Sequence, residues 1–213
     1  MTIPLSPLGV RAVTINLKYG TKEKLDALKP YFADEARRAR TFSTADTSGL
    51  NLRETAARKS IWAAEKEQRR RDGQLTDSIR ALVMGAAFQE VTARGWTLRD
   101  WSQIPHQSRG PWPGAPRGSW EETLTVDLPA DLVAIVHAGC WNASKDAIGK
   151  LRDWRERHPK ARPRRPSRPG CSAEELAEHD GYAAKVLTTG KIWRNAVKRG
   201  LAYASPHLPP QLR

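Results

Sequence analysis

A run of basic side chains between residues 150 and 168 is the pattern with the most direct chemistry in this sequence. Nine lysines and arginines fall in this window, against only Asp153 and Glu156. They are Lys150, Arg152, Arg155, Arg157, Lys160, Arg162, Arg164, Arg165 and Arg168. Cations at this density contact the phosphates of a nucleic acid without reading its sequence, and Arg164 and Arg165 could also enter a minor groove. Because prolines punctuate the run, a solvated linker remains the alternative.

Two other segments alternate polar and apolar side chains with the period of a β-strand. In residues 123–128, Leu124, Val126 and Leu128 would face a core, while Thr123, Thr125 and Asp127 would face solvent. In residues 13–18 the corresponding polar side chains are Thr14, Asn16 and Lys18. The sequence therefore predicts two short strands, each with one polar face.

Each predicted strand is followed by a helix. Pro129 is tolerated in the first turn of a helix, and Leu132, Ile135 and Val136 continue as an apolar stripe. We expect residues 142–144 to break this helix and Ser144 to cap a second one. The apolar side of that second helix would be Ala147, Ile148, Leu151 and Trp154.

The remaining helices are predicted from residues that cap helix ends and from prolines and glycines that interrupt helices. A helix that starts at Thr21 should be interrupted near Pro30, and a long charged helix should span residues 51–71. Thr76 or Asp77 is expected to cap a firmer helix that closes at Gly95. Two further helices should begin after Ser172, where acidic residues favour a helix start, and after residues 188–190.

The strand and helices of residues 123–155 resemble the ribbon-helix-helix family of DNA-binding proteins. In that family two antiparallel strands form a ribbon that enters the major groove, and the start of the second helix holds a phosphate. Short hydrogen-bonding side chains on a strand match the donors and acceptors of base edges, and free N–H groups at a helix start bind phosphate oxygens. The resemblance covers about 33 residues, or about 50 when the first strand is included.

Carried onto this chain, the resemblance implies a set of site residues. The base-reading side chains would be Thr14, Asn16, Lys18, Thr123, Thr125 and Asp127, and the phosphate anchor would be Asn142, Ser144 and Lys145. From the basic run, Arg155, Arg157, Lys160, Arg162, Arg164, Arg165 and Arg168 would add phosphate contacts. Asp127 departs from the pattern, because it would repel phosphate, although it could accept from a cytosine amino group.

A ribbon needs two strands, and the sequence leaves two ways to supply them. The helices expected near residues 76 and 189 lie about equally far behind the two strands, which is typical of an approximate tandem duplication within one chain. Alternatively, the strand at 123–128 pairs with the same strand of a second copy in a homodimer.

Composition narrows the classes of partner. Thirty-six Lys plus Arg against 23 Asp plus Glu give a formal net charge of +13, which favours a polyanionic partner. Neither an apolar run long enough to span a membrane nor a secretory leader is evident, so we expect a cytoplasmic protein without a membrane partner. Cys140 and Cys171 lie in no metal-binding pattern and the five histidines are scattered, so we expect no metal and no cofactor.

Residues 95–120 hold four of the eight tryptophans and four prolines, which indicates a linker or long loop. Trp112 and Trp120, with Arg109 and Arg117, could stack on single-stranded bases, but such tryptophans more often plug a loop onto a core. We expect no catalysis, because neither a paired-carboxylate pattern nor a glycine-rich phosphate cradle is present, although a tyrosine nucleophile for strand transfer remains open.

These observations predict a mainly α fold with a short two-stranded antiparallel β-ribbon, ribbon-helix-helix-like and either tandem or dimeric. The expected division is a flexible arm (1–12), an N-terminal helical unit with one strand (13–95), a Trp/Pro/Gly-rich linker (96–121), a C-terminal ribbon-helix-helix-like unit (122–203) with the basic run 155–169, and a flexible tail (204–213). The expected function is sequence-specific binding of double-stranded DNA, as a transcriptional repressor or as an accessory factor in plasmid or mobile-element partition or transfer. The alternatives are an RNA-binding, single-strand-binding or protein-interaction module that uses the basic run, or a nucleic-acid-processing enzyme.

Overall fold

A computed structural model describes residues 9–41, 49–99, 120–163 and 170–213. In these ranges the chain is mainly helical, with one two-stranded antiparallel sheet, as predicted. The elements in chain order are β1 (Val10–Leu17), α1 (Thr21–Ala27), α2 (Lys29–Thr41), α3 (Leu52–Arg71), α4 (Ile79–Ala93), β2 (Glu122–Pro129), α5 (Ala130–Arg157), α6 (Ala173–Ala184) and α7 (Thr189–Ala204). Short 3-10 turns at Trp96–Leu98, Ser205–His207 and Pro210–Leu212 complete the set.

The two strands pair with each other inside one chain. Val10 lies opposite Pro129 and Leu17 opposite Glu122, with Thr14 directly opposite Thr125. In this structure β2 therefore takes its partner strand from the same chain. Strand β1 also begins at Val10 rather than at the predicted Val13, so residues 10–12 belong to the ribbon and not to an arm.

One face of the ribbon is buried in the core. Val13, Ile15 and Leu17 of β1 and Val126 and Leu128 of β2 all point into it. Each apolar side chain of this size contributes about 1.5–3 kcal/mol when it is buried. A register slip of one residue would expose all five at once, so the alternation in the sequence fixes which face is outward.

The main hydrophobic core combines residues from both halves of the chain. Helices α4 and α7 pack closely behind the ribbon, and a Cβ added at Gly200 of α7 would lie 2.7 Å from Leu82 Cγ of α4. The same core receives Leu25 and Leu28 from the first half and Leu132 and Val136 from α5. The segments predicted as an N-terminal and a C-terminal unit therefore share one core.

Helix α5 is continuous from Ala130 to Arg157, so the predicted break at residues 142–144 is wrong. The buried stripe of α5 runs through Val136, Cys140, Ser144 and Ile148 at steps of four residues, without interruption. Ser144 is fully buried. Its hydroxyl is satisfied there, because Oγ accepts from Leu187 N at 2.8 Å and donates to Leu187 O at 3.2 Å. Asn-Ala-Ser is thus a segment of a buried helix face and not a helix start.

Local signals placed most of the other helix ends correctly. Leu28 separates α1 from α2, whose first turn contains Pro30, and Asn51 and Ser172 both form capping boxes with the glutamate three residues later. Helix α4 is capped by Ser78 and not by Thr76 or Asp77. Asp77 is unavailable because its carboxylate accepts from Arg70 Nε and Nη2, at 2.9 and 2.7 Å.

The C-terminal residues, predicted to form a flexible tail, are packed. Leu208 is buried in the main core between the two last 3-10 turns. The ring of His207 stacks on Tyr31 of α2 with centroids 4.1 Å apart. One leucine and one aromatic contact therefore hold a proline-rich segment whose composition alone resembles a loose end.

Candidate nucleic-acid interface

The polar face of the ribbon is turned to solvent, and we call it the outer face. It consists of Ala12, Thr14 and Asn16 from β1 and Thr123, Thr125 and Asp127 from β2, all exposed. Lys18 is exposed just beyond the end of β1. The structure thus gathers all six predicted base-reading residues on or beside one surface.

The centre of the outer face is a threonine pair. Thr14 Oγ1 and Thr125 Oγ1 lie 3.4 Å apart across the strands. A hydroxyl is both a donor and an acceptor, so neither group is committed by this long contact. On either side of the pair, Asn16 lies opposite Thr123, and Ala12 lies opposite Asp127.

The turn after β1 is fixed by the two glutamates that precede the outward residues of β2. Glu122 accepts from Gly20 N and Lys22 N, both at 2.8 Å, and Glu121 accepts from Tyr19 N at 2.9 Å. Gly20 has a φ of 77°, a conformation that glycine adopts without strain. These contacts anchor the backbone that carries Lys18.

The first turn of α4 lies against one end of the ribbon. Ser78 caps it by accepting from Ala81 N at 3.1 Å, and Arg80 Nε donates to the carbonyl oxygen of Asp127 at 2.8 Å. Glu67 of α3 holds the rest of the Arg80 guanidinium, at 2.6 and 3.0 Å. The strand end and the helix start are therefore tied together directly.

The carboxylates that support this helix start are ionised at neutral pH. Hydrogen bonds from Arg80 are the largest influence on Glu67 and lower its pKa. Burial alone would raise the pKa of Asp77, but hydrogen bonds from Arg70 and Lys66 outweigh it, and the pKa is lowered. The network Glu67–Arg70–Asp77–Arg80 thus fixes where α4 begins.

The first turns of α7 lie beside the opposite end of the ribbon. Thr188 caps α7 by accepting from Lys191 N at 3.2 Å. Arg194, two residues into the next turn, lies over the ring of Trp120 at 4.0 Å, a favourable cation–π contact. Trp120 is two residues before β2 begins, at the end where Glu122 pairs with Leu17. The starts of α4 and α7 therefore flank the ribbon at its two ends.

The predicted phosphate anchor is not assembled at residues 142–145. Because α5 is continuous there, the backbone N–H groups of Asn142, Ser144 and Lys145 are inside a helix and not at its start. Ser144 is buried on Leu187, and only Lys145 of the three is exposed. The physical basis for the anchor is therefore absent at these residues.

The basic run lies at the C-terminal end of α5. Arg155 and Arg157 are in the last turn of α5, and Lys160 and Arg162 follow it, all four exposed. Arg157 donates to Glu178 of α6 at 3.0 Å. A helix of 28 residues is about 42 Å long, so Arg155 and Arg157 are about 40 Å from the ribbon end where α5 starts. Arg164, Arg165 and Arg168 lie outside the described residues.

The tryptophan-rich segment can be followed at its two ends. Trp96, in the 3-10 turn after α4, is buried against α5, where a Cβ added at Gly139 would come within 2.2 Å of its ring. Trp120 lies under Arg194. Trp112, Arg109 and Arg117 lie outside the described residues.

Sequence reasoning did not include the starts of α4 and α7 in the candidate interface. The sequence contained a signal for these two helix starts, because their caps lie at nearly equal distances behind the two strands. Ser78 follows Thr14 by 64 residues, and Thr188 follows Thr125 by 63. Because a helix break was predicted at residues 142–144, the phosphate anchor was assigned there and not to the starts of α4 and α7. Arg80 and Arg194 had no local signal, since their contacts lie 47 and 74 residues away along the chain.

Two other features are absent from the part of the chain that the structure describes. No group of three or more His, Cys, Asp or Glu side chains there could hold a metal ion. None of the helices in those ranges has the length and apolar character needed to cross a membrane.

Comparison with known proteins gives no match, since no protein-family model, curated protein or solved structure is significantly similar to this chain.

Proposed function

We propose that this chain binds double-stranded DNA at a specific site, with the outer face of the ribbon in the major groove. The observation that carries the proposal is the outer face itself: a two-stranded ribbon, packed on a core behind, that turns Thr14, Asn16, Thr123, Thr125 and Asp127 to solvent. A major groove about 12 Å wide admits a two-stranded ribbon, and short polar side chains then reach base edges.

The flanking helix starts support the proposal. The first N–H groups of a helix have no partner inside it, and the helix dipole favours an anion there. In the ribbon-helix-helix family a helix start holds a phosphate on each side of the ribbon. In this chain the starts of α4 and α7 fill that role, in place of residues 142–145.

A tandem arrangement in one chain follows from the same proposal. Each half contributes one strand and, 63 or 64 residues after its central threonine, one capped helix start. Aligning the caps pairs Leu82 with Ile192, both buried in the main core. One copy of the chain is then a complete binding unit.

The net charge of +13 supplies the long-range attraction that brings such a protein to DNA. It does not select a sequence. The class of regulator, whether a repressor or an accessory factor in partition or transfer, depends on where the target site lies.

Selection from a pool of random duplexes tests the proposal. We expect wild-type protein to enrich a short motif, and the variant Thr125→Ala with Asn16→Ala to lose base preference within that motif while it still binds duplex DNA. Thr92→Ala is the matched control, because Thr92 is exposed near the end of α4, about 20 Å from its start. Enrichment of no motif, or binding to single strands or structured RNA that equals binding to duplex, would overturn the proposal.

A further inference from the structure

The outer face is not symmetric about its central threonine pair. A ribbon made from two identical strands would present the same side chains at both ends. Here Asn16, followed by Lys18, occupies one end, while Asp127, opposite Ala12, occupies the other. The amide of Asn16 both donates and accepts and the ammonium group of Lys18 only donates, whereas a carboxylate only accepts.

The two ends therefore suit different bases. An asparagine pairs with adenine by two hydrogen bonds, to N6 and N7. A carboxylate accepts from the N4 amino group of cytosine, and it is repelled by the acceptor groups of guanine. Arg80 does not engage the Asp127 carboxylate, because its Nε donates to the backbone carbonyl oxygen of Asp127 and its Nη1 and Nη2 donate to Glu67.

The strand geometry also limits the distance between the two contacts. Asp127 is directly opposite Ala12, and Ala12 precedes Asn16 by four residues. Four residues of antiparallel strand span about 14 Å. With base pairs about 3.4 Å apart, the two contacts are separated by no more than about four base steps.

Resting on the proposed function, we infer that one copy of this chain reads a non-palindromic site in a single orientation, with Asn16 selecting adenine at one end and Asp127 selecting cytosine at the other. Thr14 and Thr125 contact the bases between them. The site is complete with one chain, because both strands and both flanking helix starts come from the same molecule.

The test combines selection of duplexes with two single substitutions. We expect the wild-type motif to lack two-fold symmetry and to bind one chain per duplex. Asp127→Asn should reduce the preference for cytosine at one position by about five- to tenfold, as expected for the loss of one base contact, and leave the other positions unchanged. Asn16→Asp should change the position at the other end only. Asp153→Asn removes the same charge near the far end of α5 and serves as the control.

A second set of duplexes separates this inference from the function on which it rests. In these duplexes one half of the selected motif is replaced by the inverted copy of the other half. We expect each palindrome to bind at least about tenfold more weakly than the selected motif, as expected when one end loses its matched contacts. A palindromic motif, two chains per site, or equal binding to the palindromes would overturn the inference while the DNA-binding function stands. Failure to enrich any duplex would overturn both.

Discussion

The two faces of strand β1 should respond to mutation in opposite ways. Ile15 is 1 % exposed and lies on the inner face, whereas its neighbour Thr14 is exposed on the outer face. We expect Ile15→Ala to lower the free energy of unfolding by about 2–5 kcal/mol, the cost of removing a large aliphatic side chain from a packed core. Thr14→Ala removes only one cross-strand contact, so we expect a loss of about 0.2–1 kcal/mol.

The assay for this pair is urea denaturation followed by tryptophan fluorescence, together with duplex binding by fluorescence anisotropy. Ile15→Ala should shift the unfolding midpoint and, at low urea, retain the base preference of the wild type. Thr14→Ala should leave the unfolding midpoint nearly unchanged and reduce the base preference. A Thr14→Ala variant that unfolds as readily as Ile15→Ala would refute the register of the ribbon, because a shift of one residue exchanges the two faces.

Three further predictions concern the supporting structure. Ser144→Ala should cost about 1–3 kcal/mol of stability in urea denaturation, because Leu187 loses its buried partner, whereas Lys145→Ala should leave both stability and duplex affinity unchanged. Asp77 and Glu67 have lowered pKa values, so both stabilise the fold above their unfolded pKa values near 4 and lose that contribution as the pH falls through their folded pKa values. Asp77→Asn should therefore flatten the loss of stability that the wild type shows in urea denaturation as the pH falls below about 5. Burial raises the pKa of Cys140 to about 12, so at pH 8 iodoacetamide should label Cys171 in the native protein, and label Cys140 only after denaturation.

The ribbon was predictable because its signal is local. A period of two over six residues identifies each strand and tells its inner face from its outer face, and the structure bears this out from Val13 to Leu17 and from Val126 to Leu128. Capping residues such as Ser172 likewise act on the backbone three residues away. Such features need no knowledge of the rest of the fold.

The continuity of α5 was not predictable by the same means. Ser144 in Asn-Ala-Ser is a reasonable helix cap on local grounds, and only the backbone of Leu187, 43 residues later, makes it a buried helix residue. The cap of α4 moved to Ser78 for a similar reason, because Asp77 is held by Arg70 and Lys66. In both cases a polar side chain that could cap a helix is instead bonded to a partner that is distant in the sequence or on a neighbouring element.

The length of α5 separates the two parts of the chain that the sequence marked for nucleic acid. Arg155 lies about 40 Å from the ribbon end of α5, which corresponds to about 12 base pairs of straight duplex at 3.4 Å each. We expect a duplex that only spans the ribbon not to reach Arg155 and Arg162 at the same time. Replacing these two arginines by glutamine should therefore leave affinity and salt dependence unchanged on a duplex of about 10 base pairs, and weaken binding on one of about 30 base pairs. Equal losses on both duplexes would mean that the basic run contacts DNA beside the ribbon, and would refute this separation.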